Sequence, residues 1–180
     1  GPAWGDHGYV LFGYGEAGID QYAKAGLTGL NPDPWTKRRL SNGGLYESGN
    51  GALHRNLEVA SAGGNGAVTH RWRDGPPFAW HVSTHFASDA AACPTMRGTT
   101  YDRNIEMVYL TRGGRLHHWW RSGGGGDWND GGVFGPAGCA GVPGFIQGDY
   151  NTPGNFEVVV RMTDGTLRHL YRDNAAPWTW

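Results

Sequence analysis

Glu58, Glu106 and Glu157 each stand at the head of a short apolar run, and each is followed twelve residues later by a histidine: His70, His118 and His169. Two residues beyond the histidine comes a large ring, Trp72, Trp120 or Tyr171, and the next residue is Arg73, Arg121 or Arg172. A tryptophan closes each set, Trp80, Trp128 and Trp178, and Trp35 holds the same place in a worn first copy. A carboxylate and a guanidinium beside an aromatic ring can grip vicinal hydroxyls while the ring covers the apolar face of a sugar. The same residues also suit plainer roles. An Arg and a Glu brought together across a tight hairpin would staple two strands as an ion pair. A histidine between an aliphatic and an aromatic residue would sit hydrogen-bonded in a core. Both readings stand at this point.

Metal and catalytic chemistry fit less well. His70, His118 and His169 are a whole repeat apart, and His117 and His118 are adjacent, so on a strand they face opposite sides. His81 and His85 could share a face, yet no third ligand is indicated. No strained serine elbow is present, and no pair of carboxylates suited to glycoside hydrolysis stands apart from the repeated ones. An active site usually occurs once, whereas these residues recur. The expectation is a protein that is not an enzyme and that needs no metal and no cofactor.

The elements that must position these residues are short strands. Counted at the three glutamates, the copies lie 48 and 51 residues apart, and a period near 50 built of short strands is the signature of propeller blades. The third copy divides into strand-sized pieces at 95–100, 105–111, 116–122 and 128–134, separated by Asp102-Arg103, Gly113-Gly114 and a run of glycines at 123–126. The fourth divides the same way at 145–148, 156–161, 167–172 and 177–180. Alternation along each piece has the period of two that marks a strand. It puts Leu116, His118 and Trp120 on one face and His117, Trp119 and Arg121 on the other. The first copy has Tyr9 where the others have Glu, Gln21 where they have His and Ala23 where they have a large ring, so a site built from the repeated set should be weakest there. The fold class expected is all-β, a propeller of four-stranded antiparallel blades. The whole chain, 1–180, would form one propeller or half-propeller domain with blades at about 1–40, 41–86, 87–136 and 137–180. No helix is needed, and residues 87–92 read as loop.

Composition bounds the partners. A formal charge of -1 gives no electrostatic case for nucleic acid or an anionic membrane, and no apolar run approaches the ~20 residues of a membrane helix. Glycine makes up 32 of 180 residues, and among nine Trp and eight Tyr it marks tight turns rather than disorder. Gly1-Pro2 reads as a protease cleavage scar. Cys93 and Cys139 hold similar places in consecutive repeats; a disulfide would suit an extracellular setting, and two free thiols fit the spacing equally well.

The fourth repeat carries a resemblance. Gly144-Phe145-Ile146-Gln147-Gly148, then Gly154-Asn155-Phe156-Glu157-Val158-Val159, then Asp164-Gly165-Thr166-Leu167-Arg168-His169-Leu170-Tyr171-Arg172-Asp173-Asn174 and Trp178 resemble the bacterial propeller lectins typified by the fucose-binding lectins of Photorhabdus. The second and third repeats match well, and the first only in outline. The resemblance implies a β-propeller that binds fucose or related glycans in shallow pockets between neighbouring blades, without metal or catalysis. It also implies that the pocket rims draw on Trp80, Trp128 and Trp178 with the matching His, Trp or Tyr, Glu and Arg positions. The family's propellers have seven blades, and four repeats are present here. Wedges of about 51° would close little more than half a circle, two chains head to tail would need about 45° per blade, and a closed ring of four would need about 90°. A homodimer completing the ring is therefore expected, with a four-bladed monomer and a fragment of a longer protein as the other readings.

The function expected is a multivalent carbohydrate-binding lectin, secreted or at a cell surface, with glycans as its partners. A structural or protein-interaction propeller and a sialidase-like glycan hydrolase are the alternatives.

Overall fold

The computed structural model describes residues 7–15, 18–25, 36–41, 45–47, 57–73, 80–83, 85–123 and 125–180, with side chains at 58–72, 80–83, 85–123 and 125–180. Among the described residues there are fourteen strands and no helix. They are β1 (His7–Gly15), β2 (Gly18–Ala25), β3 (Thr36–Ser41), β4 (Leu45–Glu47), β5 (Leu57–Ala62), β6 (Val68–Arg73) and β7 (Trp80–Val82). They continue with β8 (Thr95–Gly98), β9 (Ile105–Leu110), β10 (Leu116–Arg121), β11 (Trp128–Phe134), β12 (Cys139–Gln147), β13 (Phe156–Met162) and β14 (Leu167–Arg172). These form four antiparallel meanders: β1–β2–β3, β4–β5–β6–β7, β8–β9–β10–β11 and β12–β13–β14.

Each meander follows from alternation and turn chemistry. β13 alternates buried and more open positions along its whole length, so one face packs and the other does not. β9 is buried at all six residues, as a strand must be when sheets cover both of its faces. Between β8 and β9 the chain reverses at Asp102 and Arg103, both left-handed with φ of 47° and 54°. The Asn104 N–H donates to the Tyr101 carbonyl across this turn at 2.9 Å, and two left-handed central residues match the twist of the flanking strands.

Two apolar layers hold the sheets face to face. Ala60 and Val68 of the second sheet pack against Met96, Ile105, Met107 and Tyr109 of the third, with Ala90 from the connecting loop. Val108, Leu110, Leu116 and Phe134 on the far face of the third sheet pack against Phe145, Phe156, Val158, Val160 and Met162 of the fourth. Polar ties join the first strands of these two sheets: Thr95 Oγ1 donates to the Pro143 carbonyl at 2.7 Å and Arg97 Nε to the Phe145 carbonyl at 3.2 Å.

Three expectations need correction. Residues 177–180 are not a strand. Trp178 is left-handed at φ 56°, its N–H closes a turn onto the Ala175 carbonyl, and the chain folds back so that Trp180 stacks on Phe134 at 3.9 Å between centroids. The fourth sheet therefore has three strands among the described residues, as does the first. Tyr9 does not hold the glutamate position: it lies opposite Lys24, just after an irregularity between His7 and Tyr9, and Val10 lies opposite Ala23 where the other sheets place Glu opposite the large ring. The loop reading of 87–92 agrees with the structure, which places only an isolated bridge there, Ala90 to Thr111. Cys93 and Cys139 are not joined in a disulfide, and Cys139 is buried and held with its pKa above the usual thiol value by that burial.

Candidate functional site

Cross-strand register decides where the repeated side chains go. Glu58 lies opposite Trp72, Glu106 opposite Trp120 and Glu157 opposite Tyr171, while the arginines lie opposite Leu57, Ile105 and Phe156. In a pleated sheet, neighbouring positions along a strand face opposite sides. Glu58, His70 and Trp72 thus face the third sheet and Glu106, His118 and Trp120 the fourth, while Arg121 faces the second sheet and Arg172 the third. The expected Glu–Arg staple is consequently not formed in the third sheet. Glu106 accepts instead from His118 Nε2 at 2.6 Å and from Asn104 Nδ2 at 3.2 Å. Arg121 donates through Nε to the Gly126 carbonyl at 2.8 Å.

Two crevices result, each walled by two sheets. The first, of about 450 Å³, is lined by Trp72, Ser83 and Phe86 on one side and by Arg121, Gly126, Asp127 and Trp128 on the other. The Arg121 guanidinium lies 5.2 Å over the Trp72 ring centroid, and Trp72 is itself stacked between His70 and His81 at 5.3 and 5.2 Å. The second crevice, of about 530 Å³, is lined by Tyr101, Asp102, Asn104, Glu106, Trp120 and Ser122, with Arg172 and Trp178 from the fourth repeat. Arg172 lies over the Tyr101 and Phe156 rings at 5.6 and 5.3 Å, and its Nε donates to the Trp178 carbonyl at 3.1 Å. The same three contributions recur in both: a tryptophan from one repeat, then an arginine and a tryptophan from the next.

The histidines sit beneath these crevices rather than in their walls. His70 and His118 are buried and hydrogen-bonded to Glu58 at 2.5 Å and Glu106 at 2.6 Å. The core reading of the histidines holds for both. Each holds one carboxylate oxygen, and in the third sheet Asn104 holds the other. Gly131 makes room for this arrangement, because a Cβ there would overlap the His118 imidazole. His169 makes the same bond to Glu157 at 2.5 Å but is exposed.

Trp80 is half-buried at the head of β7 opposite Arg73 and lines neither crevice. Trp35 and the Arg73 side chain lie outside the described residues. The last tryptophans divide their duties. Trp128 stacks on Phe86 at 4.9 Å and meets His70 edge-on at 5.3 Å. Trp180, not Trp178, repeats that packing, stacking on Phe134 and meeting His118 edge-on at 5.5 Å. Trp178, half exposed, is left at the crevice rim. The indole nitrogens of Trp128 and Trp180 are both buried without a protein acceptor.

Sequence reasoning passed over Ser83, Phe86, Tyr101, Asp102, Asn104, Ser122, Gly126 and Asp127. One of them had a signal. Asn56, Asn104 and Asn155 each stand two residues before a repeated glutamate, the spacing that lets Asn104 reach the carboxylate of Glu106. The others come from loops that differ between repeats.

The opposite face of the third sheet carries a polar cluster that is not repeated. Tyr109 Oη donates to Asp89 Oδ1 at 2.7 Å and accepts from Trp119 Nε1 at 3.1 Å. His117 lies between Asp89, 3.4 Å from Nδ1, and Asp130, 2.8 Å from Nε2. Burial and the nearby Asp89 push the Tyr109 hydroxyl well above its ordinary pKa. Burial would raise Asp130, yet the hydrogen bonds from His117 and the Gly132 N–H outweigh it and hold the carboxyl below the usual range.

No protein-family model and no curated protein matches the sequence. Solved structures do resemble it. The BP39L lectin from Burkholderia pseudomallei aligns with 95% of this chain at a TM-score of 0.70 and 15% identity, over 50% of its own length. The lectin of the fungus Aleuria aurantia, a six-bladed β-propeller with a described mode of fucose recognition, aligns with 91% at 0.60 and 16% identity, over 54% of its own length. A second structure of that lectin, in complex with Fucα1-6GlcNAc, aligns with 94% at 0.61 and 14% identity. The chain thus shares the all-β fold of β-propeller lectins and spans about half the length of those it matches.

Proposed function

We propose that this protein is a carbohydrate-binding lectin that takes fucose or related fucosylated glycans into the crevices between successive sheets. One observation carries the reading. Two crevices one repeat apart each combine the same residue types, Trp72 with Arg121 and Trp128, and Trp120 with Arg172 and Trp178. A ring covers the C–H face of a pyranose, and a guanidinium donates to its hydroxyls. Glu106, oriented by His118 and Asn104, accepts from a hydroxyl in the second crevice. Repetition of the site makes the protein multivalent, so that modest single sites give tight binding to a glycan-coated surface. The lectins of the same fold, one of them bound to a fucosylated disaccharide, support fucose as the first sugar to test.

The finer assignments belong to the same proposal. The four sheets are four blades, at about 1–40, 41–86, 87–136 and 137–180, of a propeller like the Photorhabdus lectins, completed by a second copy of the chain. The protein acts outside the cell or at its surface, and it binds without turning its ligand over. A glycan array with titration of methyl α-L-fucoside tests the reading: saturable binding to fucosylated glycans is expected. Silence across the array from a folded sample overturns it and returns the repeated residues to a purely structural role.

A further inference from the structure

The repeated residues account for only part of the second crevice. Trp120, Arg172, Trp178 and Glu106 belong to the recurring set, whereas Tyr101 and Asp102 line the same crevice and do not recur. At the same distance before its glutamate the second repeat has Leu53 and His54, and the fourth has Thr152 and Pro153. Neither the Tyr101 hydroxyl nor the Asp102 carboxylate has a hydrogen-bond or ion-pair partner among the described residues. Both are left to answer a ligand. The turn that carries them is fixed: Asp102 and Arg103 are left-handed at φ 47° and 54°, and the Asn104 N–H closes on the Tyr101 carbonyl at 2.9 Å. Thr100 ties the turn to the fourth repeat, its N–H donating to Gln147 Oε1 at 2.8 Å and its hydroxyl to the Pro153 carbonyl at 3.2 Å. Little ordering is therefore left for a ligand to impose.

We propose that the second crevice reads two sugars: the repeated set holds the fucose, and the Tyr101–Asp102 turn holds the sugar joined to it. The inference rests on the lectin reading and adds to it the class of ligand, a neutral fucosylated oligosaccharide rather than a lone fucose. Asp102 accepts from hydroxyls of the second sugar, and the Tyr101 hydroxyl, which can donate and accept, completes the contact. The same carboxylate opposes a sulfate or carboxylate on that sugar, because like charges close together at a protein surface repel and are only partly screened by salt.

The first crevice is finished differently, by Ser83, Phe86, Gly126 and Asp127. The Phe86 ring is committed to packing, stacked on Trp128 at 4.9 Å and tilted against Trp119 at 5.2 Å. Asp127 stands on the arginine's own wall, one residue from the Gly126 carbonyl that receives Arg121 Nε. Its charge there offsets the guanidinium instead of lying beyond the ring. The first crevice therefore reads a single sugar, and the chain carries two sites that share a fucose and differ in what they accept around it.

Calorimetric titration with methyl α-L-fucoside and with a panel of neutral fucosyl disaccharides of different linkage tests this, in two variants that each leave one crevice. With Arg121→Ala, where the second crevice binds, at least one disaccharide is expected to bind about tenfold more tightly than methyl fucoside, the low end for a hydrogen bond to a charged group. With Arg172→Ala, where the first crevice remains, disaccharide and methyl fucoside are expected to bind alike. Adding Asp102→Gly to Arg121→Ala, a change that left-handed backbone accepts, is expected to abolish the gain. A disaccharide sulfated on its second sugar is expected to bind the second crevice about fivefold more weakly than its neutral parent, and Asp102→Asn, which keeps the shape and removes the charge, to close that gap. No gain from any disaccharide in Arg121→Ala overturns the second subsite and leaves the lectin reading standing. So does an equal gain in both crevices, or a gain that survives Asp102→Gly. A sulfate penalty that survives Asp102→Asn overturns the repulsion assigned to Asp102. A folded wild-type chain that binds neither methyl fucoside nor any disaccharide overturns the lectin reading and the subsite together.

Discussion

Arg121 and Trp72 belong to different sheets, yet the guanidinium of one lies 5.2 Å over the ring of the other. The pair exists because the arginine sits one position beyond the ring in its own repeat and so faces backward, into the crevice that the previous repeat's ring opens. The third repeat thus serves two crevices, its arginine the preceding one and its glutamate and ring the following one.

Arg121→Ala and Arg172→Ala should each silence one crevice. A hydrogen bond from a charged donor to a ligand is worth about 1.5–3 kcal/mol, so the affected site should weaken by roughly 10- to 150-fold. Titration calorimetry should record fewer strong sites per chain with the thermal midpoint nearly unchanged. Full stoichiometry in both variants would remove arginine from sugar recognition.

Trp178 and Trp180 should separate cleanly on substitution. Trp180→Ala removes a ring stacked on Phe134 and edge-on to His118 and should cost about 3 kcal/mol in urea unfolding, at the low end for a large aromatic because the side chain is only half-buried. Trp178→Ala, half exposed at the crevice rim, should change stability by well under 1 kcal/mol and weaken sugar binding instead. The reverse pattern would show that Trp178 is the packed residue.

The buried His118–Glu106 pair should tolerate a neutral partner better than none. Removing one member of a buried pair costs about 3–5 kcal/mol, which is expected for His118→Ala. Glu106→Gln keeps an acceptor for the His118 N–H and should cost less in stability, while weakening sugar binding in the second crevice. Equal losses in chemical denaturation would contradict the positioning role given to the histidine.

Stability should fall on the acid side partly through Asp130. Its folded-state pKa is held below the usual value, so its contribution is fully present above the unfolded carboxylate pKa of about 3.9. That contribution is lost as pH drops through the lower folded value. Asp130→Asn should flatten this limb of the stability profile below about pH 4 and lower the midpoint at neutral pH, where the contribution is fully present. An unchanged acid limb would mean that the His117–Asp130 bond contributes nothing there.

Much of the architecture was legible from the chain alone, because it is written locally. A repeat near fifty residues, alternation with period two and glycine-rich turns all act within a few residues of one another. They specify antiparallel meanders of the kind described in β4–β7 and β8–β11. The recurrence of Glu, His, ring and Arg was equally plain, and so was the face shared by Leu116, His118 and Trp120. Which sheet each face meets was not, since that contact joins residues a whole repeat apart. Only tertiary packing decided that Glu106 answers to His118 and Asn104 instead of Arg121. Packing also decided that the left-handed backbone at Trp178 hands the core position to Trp180. The loops that finish the crevices, with Ser83, Phe86, Asp102 and Asp127, differ from repeat to repeat and follow no period. Their place is set by what the neighbouring sheet leaves open. Sequence periodicity therefore determined the blade-like sheets and the repeated polar set, while the walls of the binding crevices arose from the nonlocal docking of one sheet on the next.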